Sequence, residues 1–188
     1  MPDALPSPLE RFRPLLRLHV RQLQLGRLYR AKFDSSDVVQ ETYVRALKGL
    51  DGFRGQSDAE LVAWLQRIAG NVFIDMIRHH DADKCDPRRE QAVCDAAADS
   101  DTPLGAYLSA SQPGPSTLAA RREEILRLAG AVDRLPEAER DAVIAHFILE
   151  LPLAEVAERV GRTERAVAGL LFRGKRRLRE LLSSGGEA

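Results

Sequence analysis

The sequence predicts an all-α protein: two small helical domains joined by a flexible acidic linker, with a helix-turn-helix in the second domain. Three observations lead to this prediction. Apolar residues recur at three- and four-residue steps along most of the chain, and strand-like alternation is absent. A central stretch is rich in Asp, Ala, Ser, Pro and Gly, a composition that does not form a packed core. Near the end, a short apolar helix, a glycine and a basic helix follow one another.

The composition is that of a soluble globular protein. The 188 residues are 44% hydrophobic and 30% charged, and the formal net charge is zero. No apolar run approaches the ~20 residues of a membrane span, and the N-terminus shows no secretion signal. The two cysteines, Cys85 and Cys94, predict a reduced, cytoplasmic protein rather than a disulfide scaffold.

The first predicted domain spans residues 1–80 and consists of helices. Residues 9–32 form a Leu- and Arg-rich helical stretch that Gly26 can interrupt. Residues 35–50 form a second helix, and residues 51–58 contain two glycines and predict a loop. Residues 58–80 predict either one long helix or two helices that meet near Gly70.

The helix of residues 35–50 has two contrasting edges. An apolar stripe suited to a core contains Val39, Thr42, Tyr43, Ala46 and Leu50. The opposite edge contains Asp37, Gln40, Glu41, Val44 and Lys48. The like charges of Asp37 and Glu41, four residues apart, cost roughly 0.2–0.5 kcal/mol, which the helix dipole and Arg45 offset in part. This edge is therefore either a solvated face or a docking surface.

The linker is predicted over residues 81–118 and the second domain over residues 119–188. Acidic residues outnumber basic ones in the linker, and its prolines and glycine predict that residues 109–117 are not helical. A short helix at the start of the linker or over residues 104–108 is compatible with the sequence. In the second domain, helices are predicted over residues 119–134 and from Glu137 to Glu150, with Pro136 near the first turn of the latter.

Residues 153–179 predict a helix-turn-helix. Its first helix has an inward stripe formed by Leu153, Val156, Ala157 and Val160. Gly161 ends that helix, because glycine tolerates a left-handed conformation, and Thr163 is suited to cap the next one. The second helix has a buried stripe formed by Val167, Leu170, Leu171 and Leu178.

The outward residues of this second helix are candidates for DNA contact, since the N-terminal end of such a helix enters the major groove. Many of them are basic and can hold phosphates. The candidates are Arg162, Thr163, Glu164, Arg165, Ala168, Gly169, Phe172, Arg173, Lys175, Arg176 and Arg177. The alternative is a helical hairpin with a solvated basic face.

Two separated blocks of the sequence carry a family resemblance. The first is "SSDVVQETYVRALKGLDGF…AWLQRIAGNVFIDMIRHH" and the second is "LPEAERDAVIAHFILELPLAEVAERVGRTERAVAGLLFRGKRRLREL". They resemble regions two and four of the extracytoplasmic-function, or group four, sigma factors of bacterial RNA polymerase. The resemblance implies a protein that binds core RNA polymerase, directs promoter-specific transcription initiation, and has an anti-sigma protein as a further partner.

The resemblance also implies roles for individual residues. Docking on a coiled coil of the largest polymerase subunit is implied for Asp37, Gln40 and Glu41, with Arg45 nearby. Reading of the melted minus-ten element is implied for Trp64, Arg67, Asn71, Asp75 and Arg78. The helix-turn-helix residues would read the minus-thirty-five duplex. Ala168 and Gly169 depart from the Ser, Lys or Arg frequent in relatives, so base contact there shifts to Arg165 and Arg173 or to a close backbone approach.

Alternatives remain open for several of these residues. Trp64 suits a core as well as a stacking role, and Asn71 suits a capping or buried polar role. Asp75 is expected to orient Arg78 or the local backbone. For the whole chain, the alternatives are a stand-alone helix-turn-helix regulator that binds DNA as a dimer, and a polymerase-binding antagonist that has lost DNA recognition.

The sequence predicts neither a metal or cofactor site nor an enzyme. His79, His80, Cys85 and Cys94 match no compact ligand spacing. No glycine loop suited to phosphate and no nucleophile with an adjacent base is present in the sequence.

Overall fold

The computed structural model describes residues 9–26, 34–81 and 115–184, and all regular elements in these ranges are helices. The α-helices are α1 (Arg13–Gly26), α2 (Ser35–Gly49), α3 (Asp58–Asp81), α4 (Pro115–Asp133), α5 (Glu137–Val143), α6 (Leu153–Val160) and α7 (Glu164–Ser184). Short 3₁₀ helices cover Glu10–Phe12 and Leu50–Gly52, and a π-helical segment, Ile144–Ile148, directly follows α5. The all-α prediction is confirmed.

The described residues form two compact units. The first contains residues 9–20 and 34–81, and the second contains residues 21–26 and 115–184. Most of the predicted linker, Cys85, Cys94 and the helix considered over residues 104–108 lie outside the described residues.

Several predicted helix boundaries are corrected by the structure. The helix predicted from Glu137 to Glu150 is α-helical only to Val143 and continues as the π-helical segment to Ile148. α3 runs without a break through Gly70, so the alternative of two helices is wrong. α4 begins at Pro115, so the prediction that residues 109–117 exclude a helix is wrong for residues 115–117. Proline is tolerated in the first turn of a helix because the N–H that it lacks has no intrahelical partner there.

The core of the first unit lies between α2 and α3. α2 buries Val38, Val39, Thr42, Tyr43 and Ala46, which is the predicted stripe with Val38 added and Leu50 only half-buried. Tyr43 also donates a hydrogen bond from its hydroxyl to the Leu9 carbonyl at 2.9 Å. Burial raises the pKa of Tyr43 to about 12. The ring thus ties α2 to the segment that precedes α1.

Side-chain caps fix where both helices of this core begin. Asp34 accepts a hydrogen bond from the Ser36 N–H at 3.0 Å at the start of α2. At the start of α3, the Glu60 N–H donates to the Ser57 hydroxyl at 3.3 Å, and Glu60 accepts from the Ser57 N–H at 3.0 Å. This reciprocal pair is a capping box. Hydrogen bonds from the backbone of Gln56 and from Ser57 lower the pKa of Glu60.

The core of the second unit joins α5, α6 and α7. Its buried apolar residues include Leu135, Ala142, Val143, Val156, Ala157, Val160, Val167, Leu170 and Leu171. The two predicted helix-turn-helix stripes therefore face this core, with Leu153 and Leu178 packed at its margin. Asp141 is also fully buried in this unit, and its Oδ1 lies 3.1 Å from Arg21 Nε.

Candidate functional site

The first candidate surface is the outward edge of α2. Asp37 and Gln40 are exposed, and Glu41 is half-buried. Two apolar side chains join them: Val44 is 40% exposed and Leu47 is 56% exposed. The sequence analysis placed Val44 on this edge but missed Leu47. An edge that mixes acids with exposed apolar groups is better suited to a protein partner than a purely solvated face is.

Arg45 links this edge to α3. Its Nε donates to Glu41 Oε1 at 2.9 Å, and its Nη1 donates to Asp75 Oδ2 at 2.6 Å. The hydrogen bonds with Asp75 and Glu41 raise the pKa of the Arg45 guanidinium. The sequence predicted the Glu41 contact. It did not predict that Asp75 binds Arg45, because the two residues are 30 positions apart.

The second candidate surface runs along one side of α3. Trp64, Arg67, Asn71, Asp75 and Arg78 are spaced by three or four residues, and the unbroken helix brings them onto a common face. Arg67, Asn71 and Arg78 are exposed, whereas Asp75 is half-buried. This face therefore presents two guanidinium groups and one amide to solvent.

The surroundings of Trp64 and Asn71 bear on the alternative roles predicted for them. Asn71 is exposed in the middle of a continuous helix, so it is neither a cap nor a buried polar residue. Trp64 is half-buried, and its ring centroid lies 5.0 Å from that of Phe53 in a tilted arrangement. A Cβ added at Gly49 would come within 3.3 Å of the Trp64 ring. The indole is thus held against the C-terminal end of α2.

The third candidate surface is the outward side of α7, which the predicted turn positions. Gly161 has φ 63° and ends α6 in the left-handed conformation. Thr163 then accepts a hydrogen bond from the Ala166 N–H at 3.3 Å and caps α7. Arg162, Glu164, Arg165 and Ala168 are all exposed near this end. The predicted helix end at Gly161 and the predicted cap at Thr163 are confirmed.

Further along α7, the basic side chains have partners. Arg176 Nε lies 3.6 Å from Glu180 Oε1 on the same helix. The Lys175 ammonium lies 5.5 Å from the centroid of the Phe147 ring, within the range of a cation–π contact. One turn before them on α7, Phe172 is 70% exposed. This large apolar ring lies close in sequence to several cations and is accessible to a partner.

Arg173 and Arg177 share a partner that the sequence analysis missed. Glu139 of α5 lies 3.6 Å from Arg173 Nε and accepts a hydrogen bond from Arg177 Nε at 3.2 Å. No local pattern could reveal this contact, because Glu139 is 38 residues from Arg177. Arg173 also lies close to Gly169, since a Cβ added at Gly169 would lie 3.4 Å from Arg173 Nη1.

The described parts of the chain contain neither a candidate metal centre nor a membrane-spanning helix. No group of three or more His, Cys, Asp or Glu side chains there is arranged to hold a metal ion. None of the helices described is long and apolar enough to cross a membrane.

Both units match family models. Residues 9–82 match Sigma-70 region 2, and residues 125–178 match Sigma-70, region 4. The RNA polymerase sigma factor CnrH of Cupriavidus metallidurans is 30% identical over 154 residues, which are 82% of this chain and 76% of CnrH. The ECF RNA polymerase sigma factor SigM of Mycobacterium tuberculosis is 30% identical over 174 residues, which are 91% of this chain and 76% of SigM.

Among solved structures, the chain is similar to the sigma factor RpoE of Bartonella quintana, solved in complex with the anti-sigma factor NepR. That match has 22% identity and a TM-score of 0.36, and it covers 93% of this chain and 94% of the other.

Two helical units with a helix-turn-helix in the second, matched to regions 2 and 4, define an RNA polymerase sigma factor. The chain belongs to the extracytoplasmic-function (ECF) family of these factors. Sigma factors as a class act in promoter recognition and are not enzymes. Because both region 2 and region 4 are matched, the hypothesis of a stand-alone helix-turn-helix regulator is not favoured.

Proposed function

We propose that the outward edge of α2, the exposed face of α3 and the outward side of α7 each perform one function of a sigma factor. The acid and apolar edge of α2 docks on a coiled coil of the largest subunit of core RNA polymerase. The exposed face of α3 captures the non-template strand of the minus-ten element. The outward side of α7 binds the minus-thirty-five element as duplex DNA. The factor acts in the cytoplasm and has no catalytic role of its own.

The α2 edge carries the proposal. Asp37 and Gln40 are exposed on the same edge as Val44 and Leu47. Arg45 donates a hydrogen bond to Glu41. A like-charged pair on a helix is unfavourable by itself, and exposed apolar side chains gain free energy when a partner covers them. A protein surface that supplies cations and an apolar contact would account for both features.

The α3 face suits single-stranded DNA. Arg67 and Arg78 can contact phosphates, and the Asn71 amide can donate to and accept from a base edge. Asp75 is held by Arg45, so its role is to keep α3 in register with α2 rather than to bind DNA. Trp64 borders this face, where its ring would stack on a base that leaves the helix of the DNA.

The α7 surface suits duplex DNA. Arg165 and Arg173 are the residues expected to read base edges. Arg162 and Glu164 lie near Arg165 at the N-terminal end of α7. Lys175, Arg176 and Arg177 supply phosphate contacts. The chain as a whole has zero net charge, so tight binding is expected only when polymerase holds both promoter elements together.

The organisation of the chain follows the same proposal. A first domain over residues 1–80 binds polymerase and the minus-ten element. An acidic linker over residues 81–118 follows, and a second domain over residues 119–188 binds the minus-thirty-five element. An anti-sigma protein is the expected antagonist of both domains.

Reconstituted transcription tests the proposal. Core polymerase and this chain are incubated with a library of genomic fragments, with Asp37→Ala/Glu41→Ala as the test variant. Promoter-specific transcripts are expected with the unsubstituted chain and not with this variant. The control is Glu123→Ala/Glu124→Ala, which removes two exposed acids from α4. Equal transcription by both variants would contradict the docking role of the α2 edge.

A further inference from the structure

A buried carboxylate lies directly beneath the basic side of α7. The side chain of Glu139 is only 8% exposed, and its Oε1 lies 3.6 Å from Arg173 Nε. Its Oε2 accepts a hydrogen bond from Arg177 Nε at 3.2 Å. The two arginines are one helical turn apart, and their side chains are 52% and 48% exposed. One buried anion thus holds two guanidinium groups that solvent can reach.

The backbone is built to bring Glu139 this close. Gly174 lies between the two arginines in sequence, and a Cβ there would be 2.9 Å from Val143 Cγ2 and 3.7 Å from the Glu139 carbonyl oxygen. α5 and α7 can approach each other at this point only because Gly174 has no side chain. The guanidinium of Arg173 also lies near Gly169, where an added Cβ would be 3.4 Å from Nη1.

We propose that Glu139 is a positioning residue for promoter recognition, and this inference rests on the proposed DNA-binding function of α7. The carboxylate lies close to Nε of each arginine, and we expect the terminal nitrogens of both guanidinium groups to contact DNA. Arginine loses rotamer entropy when a ligand orders it. Glu139 imposes that order before DNA arrives, so less entropy is lost on binding.

Glu139 has a second, opposite effect on DNA binding. Its negative charge cancels one of the two positive charges beside it, and this weakens attraction to any phosphate backbone whatever the sequence. Removal of the charge should therefore strengthen non-specific binding while it weakens recognition of the right sequence. A residue with a purely structural role would not separate these two quantities.

The experiment compares Glu139→Gln with Glu180→Gln in the reconstituted holoenzyme. Glu180 is 66% exposed and lies 3.6 Å from Arg176 on the same helix, so its substitution removes one negative charge from the second unit, as Glu139→Gln does, without removing a contact of Arg173 or Arg177. The probes are two labelled duplexes: the upstream half of a promoter mapped in the transcription assay, and the same duplex with its upstream element scrambled. The readout is the ratio of the two affinities.

We expect Glu139→Gln to lower this ratio about tenfold relative to Glu180→Gln, the effect of one lost specific contact, with scrambled DNA bound as tightly or more tightly. A second variant, Arg173→Lys, keeps the charge and loses the Nε contact, so it should lower the ratio in a similar way. Combining the two substitutions should add little, because both remove the same arrangement.

Two results would overturn the positioning role alone. One is an equal ratio for Glu139→Gln and Glu180→Gln. The other is a parallel loss of affinity for both duplexes, which would make Glu139 a residue of the fold only. If the unsubstituted holoenzyme fails to distinguish the duplexes, the proposed function of α7 is wrong, and the role of Glu139 is lost with it.

Discussion

In each unit, an ion held between two opposite charges joins the surface proposed to bind a partner to the neighbouring helix, and the two arrangements are inverted. In the first unit, a cation, Arg45, lies between Glu41 and Asp75, and each of these three side chains is 40–41% exposed. In the second unit, an anion, Glu139, lies between Arg173 and Arg177 and is 8% exposed. The same chemistry therefore joins two helices at the surface in one unit and near the core in the other.

This difference in burial decides what each arrangement can do. Exposed ion pairs contribute about 0–1 kcal/mol because water competes for both partners, so Arg45 and Glu41 can be rearranged by a docking partner at little cost. A buried carboxylate has lost its water and depends on its partners. Glu139 is thus a fixed support for the helix that we expect to read DNA.

The largest effect is expected when both cations beside Glu139, Arg173 and Arg177, are removed. Arg173→Met/Arg177→Met leaves the Glu139 carboxylate buried without its two cations, and we expect a loss of about 3–5 kcal/mol at neutral pH. Amide hydrogen exchange on α5 and α7 in the full chain measures this loss. Adding Glu139→Gln should recover most of it, because a neutral amide needs no counter-charge. Failure of this rescue would show that the arginines act through packing alone.

The next largest effect is expected at His19, a buried histidine of the first unit. Burial lowers the pKa of His19 to about 4, although a hydrogen bond to the Gln66 backbone acts in the opposite direction. The folded state therefore resists protonation that the unfolded state accepts, at an ordinary pKa of about 6.5. The contribution is fully present above pH 6.5 and falls by about 3 kcal/mol as the pH drops to 4.

Urea unfolding followed by fluorescence measures this effect, since the single tryptophan, Trp64, lies in the same unit. The stability difference between the unsubstituted chain and His19→Gln should shrink or reverse as the pH falls from 7 to 5. His79→Gln is the control because His79 is exposed. A difference that is independent of pH would contradict the burial of a neutral imidazole.

A smaller effect tests the close approach of α5 and α7. Gly174→Ala places a methyl group 2.9 Å from Val143 Cγ2. Overpacking costs about 1–3 kcal/mol, and the better helix propensity of alanine returns about 0.8–1.0 kcal/mol, so we expect a net loss of about 1 kcal/mol in thermal unfolding. Gly130→Ala in α4 is the matched control, since no atom lies within 4 Å of the added Cβ, and it should stabilise the chain.

The smallest effect is expected at the surface bridge. Glu41→Gln/Asp75→Asn removes both anions from Arg45, which remains 40% exposed and hydrated. We expect the free energy of unfolding of the first unit to change by less than about 1 kcal/mol. Trp64 fluorescence in urea provides the measurement. A loss similar to that of the double arginine variant would remove the distinction between the two bridges.

The sequence predicted features that depend on neighbours along the chain. The cap at Thr163, the left-handed Gly161 and the Glu41–Arg45 pair all depend on residues within four or five positions. It did not predict the contacts of Asp75 and Glu139, because periodicity shows which face a residue occupies but not which helix lies opposite. Pro115 and Gly70 misled boundary predictions, since proline and glycine are tolerated in helices at suitable positions.

The division of function between α2 and α7 is tested most directly by measuring polymerase assembly and promoter binding separately. Co-purification with core polymerase and affinity for a mapped promoter duplex are measured in parallel for Asp37→Ala/Glu41→Ala and for Arg165→Ala/Arg173→Ala. We predict that the first variant fails to assemble with core polymerase. The second variant should assemble normally and lose its preference for the upstream promoter element. A first variant that assembles normally, or a second that fails to assemble, would contradict the division of function between α2 and α7.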